Sequence, residues 1–277
     1  MTMRDAYPAG VPCFVDSGRV DSAVAREFYG GLLGWKSEDV SPPGHEGPPY
    51  HMAKLQDGVV AGLGTQPEQD WDPVWNTYVS VDNADDAAAR VESAGGRTVT
   101  PPFDIGPAGR MAVFADPAGA EFCVWQAGAT AGSELVNDTG AVVFHALHTT
   151  DLPGAVDFYA AVFGWKMESE GPGAWMIRLP GYLEDQERQS PGFGEQLQAM
   201  GAPEGFGDLV AQVVPDGPPR WEVTFAVASA DDAAARAVEL GGAVVSPPQD
   251  LPWVRETTLR DPEGAQFVAS QFVAPES

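Results

Sequence analysis

The chain is predicted to be an α+β protein of four βαβββ modules paired into two domains, and three internal echoes carry that prediction. Residues 85–102, DDAAARVESAGGRTVTPP, return at 231–248 as DDAAARAVELGGAVVSPP, an offset of 146. FYGGLLGW at 28–35 returns as FYAAVFGW at 158–165, an offset of 130, and DPAGAEF at 116–122 returns as DPEGAQF at 261–267. Self-similarity at a fixed period marks a unit copied in tandem. The change in offset locates an insertion at about 180–208, inside the middle hairpin of the third module. It reads either as a lid over a pocket or as a surface excursion.

The modules follow from local pattern. VPCFVDSG (11–18) is strand-like, and Asp21 stands in N-cap position before a stretch where Val24, Phe28 and Leu32 recur at helical spacing. Gly34 is a stop for that helix. The loop SPPGHEGPP (41–49) leads into YHMAKL, and DGVVAGLG pairs back on it as a hairpin. The unit then restarts: WNTYVSV (75–81) is a strand, ADDAAARVESAGG a glycine-capped helix, and RTVTPPF, RMAVFADP and EFCVW three short strands. VVFHALHTT, LPGAVDFYAAVFG and WEVTFAV open the same sequence of elements again. The domains are therefore expected at 1–130 and 141–277, joined by a small, polar, glycine-containing linker, AGATAGSELVNDTG (127–140).

Hydrophobic residues at 44% and aromatics at 10% place the chain of 277 residues among globular proteins. Forty acidic residues against fifteen basic ones give a net charge of −25, which repels phosphate backbones and anionic lipid. Neither nucleic acid nor membrane is an expected partner; a small molecule is. No run approaches the roughly 20 apolar residues of a spanning helix. MTMRDAYPAG lacks the apolar core of a secretory signal, so a cytoplasmic protein is expected, as a pseudo-symmetric monomer or a homodimer. Cys13 and Cys123 form no CxxC pair, and strand alternation sets them on opposite faces, against a disulfide.

The FY…GW and DP-x-GA motifs, with PCFVD, WNTYVSVD and FDIGPAGRM, resemble those of the vicinal oxygen chelate superfamily. That superfamily includes glyoxalase I, bleomycin-resistance proteins and extradiol dioxygenases. The likeness is closer to tandem actinobacterial proteins of glyoxalase-like or hydroxylase-like type. It implies that each module pair curls eight strands into a half-open cup with the substrate, and any metal, inside. At the positions where metal-using members carry ligands, this chain has Phe14, a residue near Gly62, Asn76 and Cys123 in the first cup. In the second it has Phe144, Val210 or Gln212, Glu222 and Val268. Phenylalanine and valine donate nothing to an ion, so neither a metal nor another cofactor is expected.

Strand alternation assigns the cup-facing residues. The first cup receives Phe14, Asp16, Asn76, Tyr78, Glu121, Cys123 and Trp125; the second receives Phe144, Ala146, His148, Glu222, Thr224, Gln266, Val268 and Ser270. Asp16 with Glu121, and His148 with Glu222, are the candidate acid–base pairs. Each has a bland counterpart, a carboxylate satisfied by nearby amides or arginine and a structural histidine. Phe14, Asn76, Tyr78, Trp125, Phe144, Thr224 and Gln266 are candidate ligand contacts. His145 has the opposite parity and belongs to the core, and His51 is expected at the surface. Arg110 and Arg255 stand at matching places, either to clamp an anion or to tie loops to acidic neighbours.

Three functions fit this reading. The first is a metal-independent lyase, isomerase or cyclase using acid–base chemistry on a carbonyl-containing, aromatic metabolite, as in secondary-metabolite tailoring. The second is sequestration of an antibiotic or toxic metabolite, as the bleomycin-resistance branch implies. The third is a metal-dependent glyoxalase or dioxygenase. The second cup, with its longer hairpin, is the preferred reactive one.

Overall fold

A computed structural model describes residues 2–19, 22–42, 44, 46–65, 73–171 and 174–273. After a short strand β1 (Thr2–Met3), the first module comprises β2 (Pro12–Arg19), α1 (Ser22–Leu33), β3 (Lys36–Asp39), β4 (Tyr50–Leu55) and β5 (Gly58–Thr65). The second comprises β6 (Trp75–Ser80), α2 (Ala84–Ser93), β7 (Arg97–Ile105), β8 (Gly109–Ala115) and β9 (Glu121–Ala127). A two-residue strand β10 (Leu135–Val136) follows. The third module is β11 (Val142–His148), α3 (Leu152–Phe163), β12 (Lys166–Gly171), β13 (Ala174–Arg178) and, beyond helices α4 (Tyr182–Gln189) and α5 (Phe193–Ala199), β14 (Leu209–Val214). The fourth is β15 (Arg220–Ala226), α6 (Ala230–Glu239), β16 (Ala243–Leu251), β17 (Val254–Arg260) and β18 (Gln266–Phe272).

The strands form two open eight-stranded sheets, ordered β3-β4-β5-β2-β6-β9-β8-β7 and β12-β13-β14-β11-β15-β18-β17-β16. The two orders are the same under the duplication. In each, the first strands of the two modules pair antiparallel at the centre and each also pairs in parallel with the last strand of its own module.

Asp21, expected to cap α1, lies outside the described residues. The helix buries Ala25, Phe28, Tyr29 and Leu33, so its core stripe is rotated from the expected one and Val24 is exposed. Gly34 closes it at φ +78, a conformation that glycine adopts without Cβ strain. The other module helices begin at side-chain caps, Asn83 for α2, Asp151 for α3 and Ser229 for α6.

The duplicated motifs explain how the halves join. β6 lies against β15, α1 packs beside α6, and α2 packs beside α3. Gly31 allows the first helix contact, because a Cβ there would sit 2.8 Å from the Leu240 side chain. Tyr29 donates to Asp261 at 2.9 Å and accepts from the Trp75 indole at 2.9 Å. In mirror fashion Tyr159 donates to Asp116 at 3.1 Å and accepts from Trp221 at 3.0 Å. Trp35 donates to the carbonyl of Gly140, and Trp165 to that of Gly10, both at 2.7 Å. FY…GW from one half thus grips the DP turn of the other, and burial of these rings dominates the interface. Asp116 and Asp261 also accept their own turn amides, which fixes both DP turns.

The 127–140 stretch is not a free tether. Its β10 pairs with β1, Leu135 is buried, and Ser133 donates its amide to Cys13 and its hydroxyl to Val60. The insertion is two helices and a 3-10 turn (Phe206–Asp208) rather than an irregular loop. It packs onto the N-terminal segment through Arg4, which donates to Tyr182 and Gln186. Its far end, at Gly201, reaches Trp253 at the tip of the β16–β17 hairpin. It therefore extends across the end of the second sheet where β11 begins.

Candidate active site

The first cup is filled by its own side chains. Asp16 pairs across the sheet with Asn76 on one side and Gly62 on the other. Its Oδ1 accepts from Asn76 at 2.9 Å, and its Oδ2 accepts from both Tyr78 and Tyr50 at 2.9 Å. Tyr50, missed in the sequence, arrives from β4 over two glycines. A Cβ at Gly62 would lie 2.0 Å from the Tyr50 hydroxyl and 2.9 Å from the Asp16 Cβ, and one at Gly64 would crowd the ring. Phe14 meets Tyr78 edge-on at 5.6 Å. Trp125 is buried and donates to Thr130. Burial, reinforced by the Asp16 charge, raises the Tyr50 and Tyr78 hydroxyls well above their ordinary range, so both stay protonated donors.

Glu121 is not part of this cluster. The β6–β9 ladder begins at Tyr78–Cys123, so Glu121 lies beyond it, exposed and 3.9 Å from Arg97. The Asp16–Glu121 pair is therefore not assembled. Gln266, its counterpart in the second half, is exposed for the same reason. Cys13 and Cys123 share one buried cluster with Tyr78 and Trp125, against the opposite faces expected. An irregularity in the β2–β6 ladder between Pro12 and Phe14 breaks the alternation there. Burial raises both thiols far above their ordinary value, which keeps them un-ionised.

The second cup carries smaller residues at equivalent places. Ala146 occupies the position of Asp16, Thr224 that of Tyr78, Val268 that of Cys123 and Ser270 that of Trp125. All but the Val268 replacement remove volume, and Ala146 removes the carboxylate that organises the first cup. Two positions gain a carboxylate: Glu222 takes the place of Asn76, and Glu256 stands opposite Ser270, where Met111 stands opposite Trp125.

His148, the last residue of β11, is buried between two carboxylates. Its Nδ1 lies 3.2 Å from Asp216 and its Nε2 3.2 Å from Glu222. Arg220 approaches both, with Nη2 3.3 Å from the His148 Nε2 and 3.5 Å from Glu222. The pair read from the sequence is thus brought together, with Asp216 and Arg220 as members that the sequence reading did not include. Burial, and then the Glu222 charge, raises the Glu256 carboxyl above its ordinary value, while a hydrogen bond with Ser270 opposes the shift. Two cup carboxylates with separated environments do exist, in the second cup rather than the first. The strand VRETTLR, in which Glu256 and Thr258 alternate against Thr257 and Leu259, carried that signal.

The remaining residues are structural in placement. His145 is buried 3.1 Å from Thr77 of β6, and burial lowers its pKa to about 4. His51 is buried rather than exposed, with its Nδ1 unpartnered. Arg110 binds Asp104 and Asp85, and Arg255 binds Asp250 and Asp231, so both tie loops. Among the described residues no three His, Cys, Asp or Glu side chains are grouped to hold a metal ion. The donor chemistry agrees: Phe14, Gly62, Phe144, Ala146 and Val268 offer no ligand atom, and Arg220 sets a cation beside Glu222. The residues present do not fit a family-type ion. No helix among the described residues is long and apolar enough to cross a membrane.

Duplicated βαβββ modules in paired open sheets, with a polar cluster on the inner face, define a glyoxalase-type fold. The glyoxalase-like domain family model matches residues 13–125 and again 141–269, and the chain belongs to that family in two tandem copies. It is 36% identical over 272 residues to CFP32 of Mycobacterium tuberculosis, which bears a provisional glyoxylase name, covering 96% of this chain and 97% of that one. It is 34% identical over 275 residues to the anthracycline biosynthesis protein DnrV of Streptomyces peucetius, covering 94% and 93%. Among solved structures, the Mn(II)-bound glyoxalase of Novosphingobium aromaticivorans superposes with a TM-score of 0.60 at 19% identity, covering 95% of this chain and 82% of that one. That likeness speaks for the fold alone.

Proposed function

We propose that the second cup is the reactive site of a metal-independent lyase, isomerase or cyclase that works by acid–base chemistry on a carbonyl-bearing aromatic. The observation that carries this reading is the pairing of the His148–Glu222 couple, held by Asp216 and Arg220, with a second cup carboxyl, Glu256, biased toward its protonated form. Separated carboxyl environments assign the roles. Glu256 is the acid that gives its proton to the substrate carbonyl oxygen. His148, its Nδ1–H given to Asp216, is the base: its Nε2 lone pair, which faces Arg220 in the free protein, takes a proton from the adjacent carbon. One proton enters and one leaves, so the step is an enolisation, which an isomerisation, ring closure or elimination then completes.

The substrate class is inferred from the named relatives in anthracycline biosynthesis, which 34% identity over nearly the full length makes pertinent. A polycyclic aromatic with ketone and phenol oxygens suits a cup of Phe144, Thr224, Val268 and Ser270. In this reading Asp16 holds the first cup together and the first domain is a scaffold.

The test is incubation with a hydroxyanthraquinone carrying an enolisable ketone, in deuterated water, followed by mass spectrometry. Wild-type protein should exchange or convert the ligand, and His148→Ala should lower that rate by roughly 10²-fold or more. Tight binding with the ligand recovered unlabelled would instead establish sequestration. A rate that His148→Ala and Glu222→Gln both leave unchanged rejects the assignment.

A further inference from the structure

A half-open cavity lies at the opposite end of β11 from His148. The cavity, about 310 Å³, is lined by Tyr7, Phe144, Tyr182, Gln186, Phe193 and Leu197, among others. Its walls therefore come from the N-terminal segment, the start of β11 and the insertion helices. Its volume reaches the lower end of the roughly 300–1,000 Å³ typical of small-molecule sites, and its lining is mainly apolar and aromatic.

The charge behind that wall is unusual. Arg4 is 6% exposed. Its guanidinium donates to Tyr182 at 3.1 Å, to Gln186 at 3.0 Å and to Gln189 at 3.2 Å, all neutral acceptors. It lies over the rings of Tyr7 and Tyr182, 5.8 and 5.7 Å from their centroids. Its Nε is buried with no partner, and no carboxylate among the described residues forms an ion pair with it. A buried cation without a counter-charge is costly. The nearby carboxylate, Asp185, accepts from Gln189 and Arg188 and does not bond to Arg4.

Three of the residues that contact Arg4, namely Tyr7, Tyr182 and Gln186, line the cavity. Gln186 spends its amide hydrogen on the carbonyl of Gly207, so its polar atoms are engaged. Tyr182 differs. Its oxygen accepts from Arg4, which leaves its own hydrogen to give. A hydroxyl polarised by a guanidinium is a strong donor to an anionic oxygen.

We propose that this cavity is a second ligand site, for a planar aromatic anion whose carboxylate or phenolate oxygen accepts from Tyr182 and supplies the charge that Arg4 lacks. The rings of Phe144 and Phe193 and the side chain of Leu197 would cover its apolar body. The site shares the Phe144 wall with the second cup but lies at the other end of β11 from His148, and it does not depend on the cup chemistry.

Calorimetric titration of the full-length protein tests the proposal with 2-naphthoate and its neutral isostere, 2-naphthamide. Naphthoate should bind at one site roughly tenfold or more tightly than the amide, as expected of a charge-assisted contact. Tyr182→Phe should erase that preference while leaving the amide unchanged. Leu197→Trp, which fills the cavity, should abolish binding of both, and His148→Ala should alter neither. Melting temperatures identify any variant that fails to fold, and Arg4→Met then serves as the second probe of the charge. Absent binding, equal affinity for the two compounds, or naphthoate binding that survives Leu197→Trp but not His148→Ala would each overturn the assignment.

Discussion

Tyr29 in the first half donates its hydroxyl to Asp261 in the second at 2.9 Å, and Tyr159 returns the same bond to Asp116 at 3.1 Å. The motifs that advertise the duplication are therefore those that hold its two products together. Neither tyrosine touches the inner face of a cup, so the FY…GW signature reports on assembly rather than on chemistry.

Tyr29→Phe should therefore destabilise the chain without changing ligand affinity in the second cup. It removes a donor to Asp261 and an acceptor for Trp75, both in a buried cluster. A loss of about 1–3 kcal/mol is expected, measured by urea unfolding. Tyr159→Phe should cost a similar amount. A smaller loss on combining the two than the sum of the singles would show that the clamps act as one unit.

Gly62→Ala isolates the first cup. The new Cβ would clash with the Tyr50 hydroxyl and the Asp16 Cβ, so Tyr50 must leave Asp16. The expected result is a loss of stability, of order 1–3 kcal/mol, with unchanged chemistry in the second cup. Loss of activity at full stability would instead restore Asp16 as a reacting group.

Glu256 sets a pH signature. Its folded-state pKa is raised, so the folded chain holds that proton more tightly than the unfolded chain does. Its ionisation therefore works against folding, and the penalty grows as pH rises from the ordinary glutamate value through the raised one. Glu256→Gln should raise the melting temperature above that window and leave it unchanged below. The same variant should lose the acid limb of catalysis, so its rate should be low at every pH. Identical melting curves for the two proteins above the window would show that Glu256 is not desolvated.

The sequence made the modules, their order and the insertion legible because duplication prints each element twice. Pairing of His148 with Glu222 was legible too, since the β11–β15 ladder is regular from Phe144 to His148. The failures have local causes. An irregularity after Pro12 brought Cys13 into the cluster of Cys123, and the ladder began only at Cys123, which left Glu121 outside. Tyr50 reached Asp16 through space left by Gly62, a contact that no single-strand pattern encodes. Glu256 sits beside Arg255, whose surface ion pairs say nothing about its neighbour's inward face. Arg4, near the N-terminus, gained its setting from Tyr182 and Gln186 of the insertion, 178 and 182 positions further along the chain.

Location of the bound aromatic is the most direct measure of the central claim. A crystal structure of the protein with a hydroxyanthraquinone ketone should place the carbonyl oxygen within hydrogen-bond reach of Glu256 and the adjacent carbon against His148. Density for that ketone in the first cup, against Asp16 and Tyr78, would contradict the assignment of the second cup as the reactive one.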